Sequence, residues 1–153
     1  MRTGADSAPT LDSEADETAL KERARWFWTH LWDISLRAEV MDAVSEELVF
    51  RGSLGQTVHG HGGLRGYLEQ AQAAVPDFHT EIHEIIAEGD RVAVKLHFSG
   101  THRGTLFGVP ATRRPVDYAG MALMHSSGDV FDSIWVVGDT LGLLRQMGNV
   151  HVD

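Results

Sequence analysis

The chain has 153 residues, 42% of them hydrophobic, which suits one domain with a core of its own. A formal net charge of −9, with no basic cluster longer than Arg113-Arg114, argues against nucleic acid and anionic membrane as partners. No stretch approaches the roughly 18 apolar residues of a membrane span, the start lacks a signal pattern, and cysteine is absent, so a soluble cytoplasmic protein is expected.

Residues 1–17 carry five acids, one arginine and little to bury, the composition of a disordered acidic tail, and the domain is expected over 18–150. From Thr18 the pattern turns helical: Leu20, Ala24, Phe27, Trp28 and Leu31 recur at three- and four-residue steps, with Trp32 one turn beyond Trp28. A second short helix is predicted over 36–43, with Ser35 as its N-cap. LVFRGSL (48–54) reads as a strand. Gly62-Gly63 opens a third helix with Leu64, Tyr67, Leu68, Ala71 and Val75 on one face, and Pro76 ends it. Strands are predicted over 78–87 and 91–100, joined by EGDR, and over 114–125 and 130–137, joined by SSGD. Gly138-Asp139-Thr140 then leads into a short apolar helix. Helices gathered on one face of a bent antiparallel sheet make an α+β fold.

Strand alternation sorts the polar candidates. Val92, Val94, Leu96 and Phe98 face the core, which leaves His97 on the exposed side with Lys95. Continuing the apolar face past Gly100 puts His102 at the rim of the interior. There it either exchanges protons near neutral pH or hydrogen-bonds a loop carbonyl and orders the next turn. His79, Glu81 and His83 share a strand face at a spacing that could hold a metal. Catalytic sites want three convergent ligands in a cleft, so a solvated face is the preferred reading and no metal is expected. HGHGG (59–63) is read as the turn into the third helix. Arg51 either pairs with a buried acid or orients an oxygenated substrate. Trp28, Trp32, Phe27 and Phe50 read as core that could also wall a cavity for a flat apolar ligand.

FRGSLG, PDF, GTHRGTLFGVPATRRPV and GDTLGLLRQMG, in that order and spacing, resemble the SnoaL-like polyketide cyclase family over about residues 18–148. The resemblance implies a nuclear-transport-factor-2-like α+β cone, in which a curved sheet and helices enclose one deep apolar cavity, usually in a dimer or higher oligomer. Members close polyketide rings by aldol chemistry, open epoxides to cyclic ethers, or assist hydroxylations, usually without a cofactor. The family's aldol cyclases use an aspartate on the last strand and a histidine opposite it. Those positions fall at Val136 and Ala122, neither of which can move a proton. An acid at the position of Asp139 is common in the broader family, which favours a helix cap. Cap plus cavity chemistry is the other reading.

The same alignment puts Tyr118, Gly120, Ala122 and Met124 on the cavity face of one strand, and Asp132, Ile134, Val136 and Gly138 on that of the next. Gly120 and Ala122 would leave room. Tyr118 offers a phenol, or is a core tyrosine with a satisfied hydroxyl. Asp132, near the turn, is expected to be solvated. The opposite face is also apolar (Ala119, Met121, Leu123, Trp135, Val137), whereas a solvated face should alternate to polar. A homodimer through Met121, Leu123 and Trp135 is therefore expected.

These readings combine into a cyclase-type enzyme that closes rings or opens epoxides on a hydrophobic polyketide-like or terpenoid-like substrate, without cofactor. His102, Asp139 and Tyr118 are its catalytic candidates. Trp28, Trp32, Phe50, Arg51 and Phe98, with Gly120, Ala122, Met124, Ile134 and Val136, are the candidate substrate contacts. The alternative is a non-catalytic protein that binds a hydrophobic metabolite or serves an oxygenase.

Overall fold

The computed structural model describes residues 11–148. Helix α1 (Leu11–His30) buries Leu20, Ala24, Phe27 and Trp28 at the expected helical steps. It starts seven residues before Thr18, so the expected acidic tail is helical from Leu11; residues 1–10 lie outside the described residues. Acid-rich sequence also suits the first turns of a helix, whose partial positive charge favours carboxylates. Glu17 fastens this end of the helix by accepting the Gly89 amide at 3.2 Å.

A single 3₁₀ turn (Ile34–Leu36) leads into α2 (Arg37–Asp42). Its cap is Asp33, which accepts from the Ser35 amide at 2.9 Å and from the Ser35 hydroxyl at 2.6 Å. Ser35 therefore does not cap α2, because its hydroxyl is spent on the stronger acceptor two residues earlier.

Strand β1 (Val44–Arg51) begins before the expected 48–54 and stops before Gly52. It pairs with the three-residue β2 (Thr57–His59), which the sequence pattern did not show. Gly52, Gly55 and Gln56 close the turn between them through backbone bonds. Helix α3 (Gly60–Ala74) starts two residues ahead of Gly62-Gly63, and Val75 ends it before Pro76. HGHGG is therefore not a turn ahead of α3 but its N-cap, His59, and first turn, where His61 bonds the Val44 carbonyl at 2.9 Å.

Strands β3 (His79–Glu88), β4 (Arg91–Thr101), β5 (Pro115–Ser127) and β6 (Val130–Gly138) follow the predicted hairpins closely. The six strands lie in the order β2-β1-β6-β5-β4-β3. One pairing departs from an antiparallel sheet: β1 runs parallel to β6, with Phe50 beside Ile134 and Arg51 beside Trp135. Helices α1 and α3 pack on the sheet, burying the apolar residues of β4, β5 and β6 beneath them. Helix α4 (Thr140–Gln146) is tied to β5 by the Gln146 amide, which bonds both backbone groups of Asp117. The result is the expected curved α+β cone. Among the described residues no helix is long and apolar enough to cross a membrane.

Candidate active site

The inward faces of β4, β5 and β6 meet the helices through aromatic rings. Trp28 and Phe78 each pack edge-on to Phe98, at 6.4 and 6.0 Å between centroids, and Trp32 stacks on Phe78 at 4.2 Å. The indole nitrogens are satisfied, Trp28 by Met124 sulfur at 3.2 Å and Trp32 by the Thr80 hydroxyl at 2.8 Å. Trp28, Phe50, Phe98, Ala122, Met124, Ile134 and Val136 are all buried on this side. Ala122 and Val136, the positions where the resemblance expects an aldol dyad, sit directly opposite each other in register as an apolar pair. Gly120 does not leave room: a Cβ there would lie 2.7 Å from the Phe98 ring, so the space its missing side chain frees is already taken.

Three hydroxyls converge beside this cluster. Ser53 Oγ and Tyr118 Oη lie 2.8 Å apart, both buried. Tyr67 approaches from α3, packs against Phe50 at 5.0 Å, and accepts the Leu54 amide at 3.3 Å. Ser53 and Tyr67 both flank Leu54 and its turn, which brings the Tyr67 hydroxyl to the same end of the sheet as the Ser53–Tyr118 pair. Burial raises both phenol pKa values, against the opposing pull of their hydrogen bonds. Both rings therefore remain protonated donors across the physiological range. Two glycines admit them. A Cβ on Gly52 would lie 2.1 Å from the Tyr67 ring, and one on Gly138 would lie 3.0 Å from Tyr118 and 3.1 Å from Ser53. Sequence reading missed Ser53 and Tyr67 as site residues. The signal available was FRGSLG, a serine between glycines at a strand end.

His102 is fully buried, not at a rim. Its backbone pairs with Arg113 and Arg114, which draws the intervening loop back over the ring. Nδ1 accepts the Thr112 amide at 3.2 Å and meets the Thr112 hydroxyl at 2.9 Å. An amide N–H can only donate, so Nδ1 carries no proton and the Thr112 hydroxyl, which accepts from the Arg114 amide, can only donate to it. The ring proton is thereby assigned to Nε2, which has no partner among the described residues. A buried N–H without an acceptor is uncommon in a folded protein.

Asp139 stands apart from these groups. It is exposed and caps α4, accepting the Gly142 amide at 2.8 Å. It borders a shallow hollow on the outer sheet face with Lys95 and Met121. Among the described residues no hydrogen bond joins His102, Tyr118 and Asp139 to one another. Arg51 is also outside the interior: its guanidinium bonds the Val136 carbonyl and lies 5.2 Å over the Trp135 ring. Among the described residues no acid pairs with it.

Asp132 is partly exposed near the turn, but not on the inward row where the alignment put it. A register shift after His125 marks a β-bulge, which turns Asp132 out of the inward row and beside His125. His125 Nδ1 lies 2.6 Å from Asp132, and Nε2 lies 2.9 Å from Asp90 on the neighbouring turn. His79, Glu81 and His83 do not converge. Glu81 reaches His83 at 3.4 Å and His83 stacks on His97, but no group of three or more metal-binding side chains forms among the described residues.

The family model for SnoaL-like polyketide cyclases matches residues 22–147. No curated protein matches. A candidate SnoaL-like polyketide cyclase from Jannaschia sp. CCS1 superposes with a TM-score of 0.79 at 18% identity, covering 97% of this chain and all of that one. AclR, a candidate hydroxylase from Streptomyces galilaeus, gives 0.69 at 26% identity over 90% of this chain and 88% of its own. TsrD from Streptomyces laurentii gives 0.70 at 21% identity, covering 94% and 100%. The match over most of the chain, together with the shared α+β cone, makes this protein a member of the SnoaL-like polyketide cyclase family.

Proposed function

We propose that this cyclase-type protein performs acid-assisted ring chemistry, opening an epoxide or polarising a carbonyl for closure, on a hydrophobic, oxygen-bearing substrate of polyketide or terpenoid type. The observation that carries the reading is the buried Ser53–Tyr118 pair at 2.8 Å, with Tyr67 alongside. Epoxide opening is assisted by hydrogen bonds to the departing oxygen, and the two buried phenols, neutral across the physiological range, can donate them. Aldol closure also needs a base to remove a C–H proton. Ala122 and Val136 cannot serve, which favours epoxide opening.

Assay of purified protein on an epoxide of this class tests the reading. Tyr118→Phe keeps the ring and removes the donor, and should lower turnover by about 10²–10³, the scale for one oxyanion-stabilising group. Unchanged turnover in that variant would reject it. Ligand binding without turnover is the second reading. One observation favours it: the buried polar side chains among the described residues are Ser53, Thr80, His102 and Ser126, with no carboxylate.

We further infer that two copies pair through the outer sheet face, where Met121, Leu123 and Trp135 are 50%, 45% and 49% exposed. An apolar row of this kind in a soluble fold marks an interaction site.

A further inference from the structure

A groove of about 390 Å³ runs between α3, the β1–β2 turn and the loop after β4. Its volume lies within the range of about 300–1,000 Å³ typical of small-molecule sites. Tyr67 forms part of its wall, and the same residue packs on Phe50 and accepts the Leu54 amide, next to Ser53 in the chain. Tyr67 is thus shared between the groove and the hydroxyl cluster.

Its lining is chemically selective. Leu54, Leu106 and Phe107 give apolar surface, Gln56, Gln70 and Thr105 give neutral hydrogen-bonding groups, and no lining side chain is charged. On a chain with a net charge of −9, a neutral groove is a notable exception. The hollow beside α1 shows the contrast, with Asp16, Glu17, Asp90 and Asp129 around Arg23. A carboxylate or ammonium entering the neutral groove would lose water without gaining a partner. A neutral ring compound with carbonyl or hydroxyl oxygens would not.

Phe107 holds an unusual position over this groove. Leu106 and Val109 exchange both backbone hydrogen bonds, at 3.0 and 2.8 Å, around Phe107 and Gly108. Both central residues have positive φ, at 50° and 74°, the pattern of a type I′ turn. That turn prefers Asn, Asp or Gly at its first central position, and a bulky aromatic there is strained. The backbone gains nothing from phenylalanine at this point. Yet the ring is 42% exposed at the groove's edge, so its value lies in what it touches there.

We propose that this groove is where the substrate docks, that it accepts neutral oxygenated ring compounds and rejects charged ones, and that Phe107 is its specificity-determining residue. The proposal rests on the reading that ring chemistry takes place at Ser53, Tyr67 and Tyr118. Two probes separate the charge classes: 1-hydroxy-2-acetonaphthone is neutral, and 1-hydroxy-2-naphthoate is its carboxylate counterpart. Titrated into the full chain and followed by amide NMR shifts, the neutral probe should perturb Leu54, Gln70, Leu106 and Phe107. The carboxylate should bind weaker by roughly tenfold or more. Phe107→Gly should weaken the neutral probe roughly tenfold, the scale of losing one aromatic contact, without lowering the melting temperature, because glycine accepts positive φ. Shifts clustered elsewhere or absent, equal binding of the two probes, or an unchanged Kd in Phe107→Gly would each overturn the proposal. The chemical reading fails separately: normal groove binding with full turnover in Tyr118→Phe removes the mechanism and leaves the docking site standing.

Discussion

Asp139 accepts the Gly142 amide at 2.8 Å, and a Cβ on Gly142 would lie 2.4 Å from the same carboxylate. The glycine is what lets the cap sit so close. Asp139→Asn should therefore leave the melting temperature almost unchanged, while Asp139→Ala should cost about 0.5–2 kcal/mol. In a domain this size each 1 kcal/mol moves the transition by roughly 2–4 °C. Gly142→Ala separates cap from helix propensity. In the native background the lost cap should offset the gain of about 1 kcal/mol that alanine brings to a helix. With Ala already at 139 nothing remains to displace, and Gly142→Ala should stabilise. Equal effects in the two backgrounds would show that the contact carries no coupling. Turnover should survive Asp139→Asn, since the residue is exposed and faces away from the interior.

Gly120 and Phe98 make a second matched pair. Ala at 120 would push on the Phe98 ring at 2.7 Å and on the Val137 carbonyl at 3.0 Å. Overpacking of this kind costs about 1–3 kcal/mol, which thermal unfolding would read directly. Phe98→Leu should recover part of the loss by freeing the ring's space. The carbonyl cannot withdraw, so recovery should be incomplete. Full additivity of the two substitutions would mean that ring and glycine are not in contact.

His125 links two hairpin turns through Asp132 and Asp90. The bond to Asp132, then that to Asp90, raises the histidine's pKa above its ordinary value, and the bond to His125 lowers that of Asp90. Arg91, paired with His125 across the strands, is the nearby like charge. A raised histidine pKa contributes stability that is complete below the unfolded value, about 6.5, and is lost as pH rises through the folded value. The lowered Asp90 contributes above its unfolded value and is lost as pH falls through its folded one. The melting-temperature advantage of the native chain over His125→Gln should therefore be largest near about pH 5–6 and shrink toward alkaline pH. An advantage that grows with pH would show that the ring is neutral in this clamp.

Much of the fold was legible because strand alternation and glycine turns are local signals. Val92, Val94, Leu96 and Phe98 face inward as their spacing requires, and both hairpins turn at Gly89 and Gly128, where φ is positive. Other features depend on partners far along the chain. The three residues of β2 have meaning only beside β1, and Ser53 meets Tyr118 across 65 positions. One bulged residue was enough to move Asp132 from the inward row to His125, because each step along a strand reverses the face. Gly120 misled in a different way: a small residue marks space, but not whether a ligand or a neighbouring ring fills it.

The outer face gives the last prediction. Leu123 is 45% exposed and lies opposite Trp135 in the β5–β6 register, in a row with Met121 and Val137. In a monomer, lysine at this place would be nearly free, since it replaces a solvated side chain on the surface. In a dimer built on this face, it would bury an unpaired ammonium and forgo apolar burial worth about 25 cal/mol per Å². Light scattering should therefore give a dimer for the native chain and a folded monomer for Leu123→Lys. The native melting temperature should rise with protein concentration, and that of the variant should not. A native monomer, or a Leu123→Lys chain that remains dimeric, would mean that this apolar face is not where two copies meet.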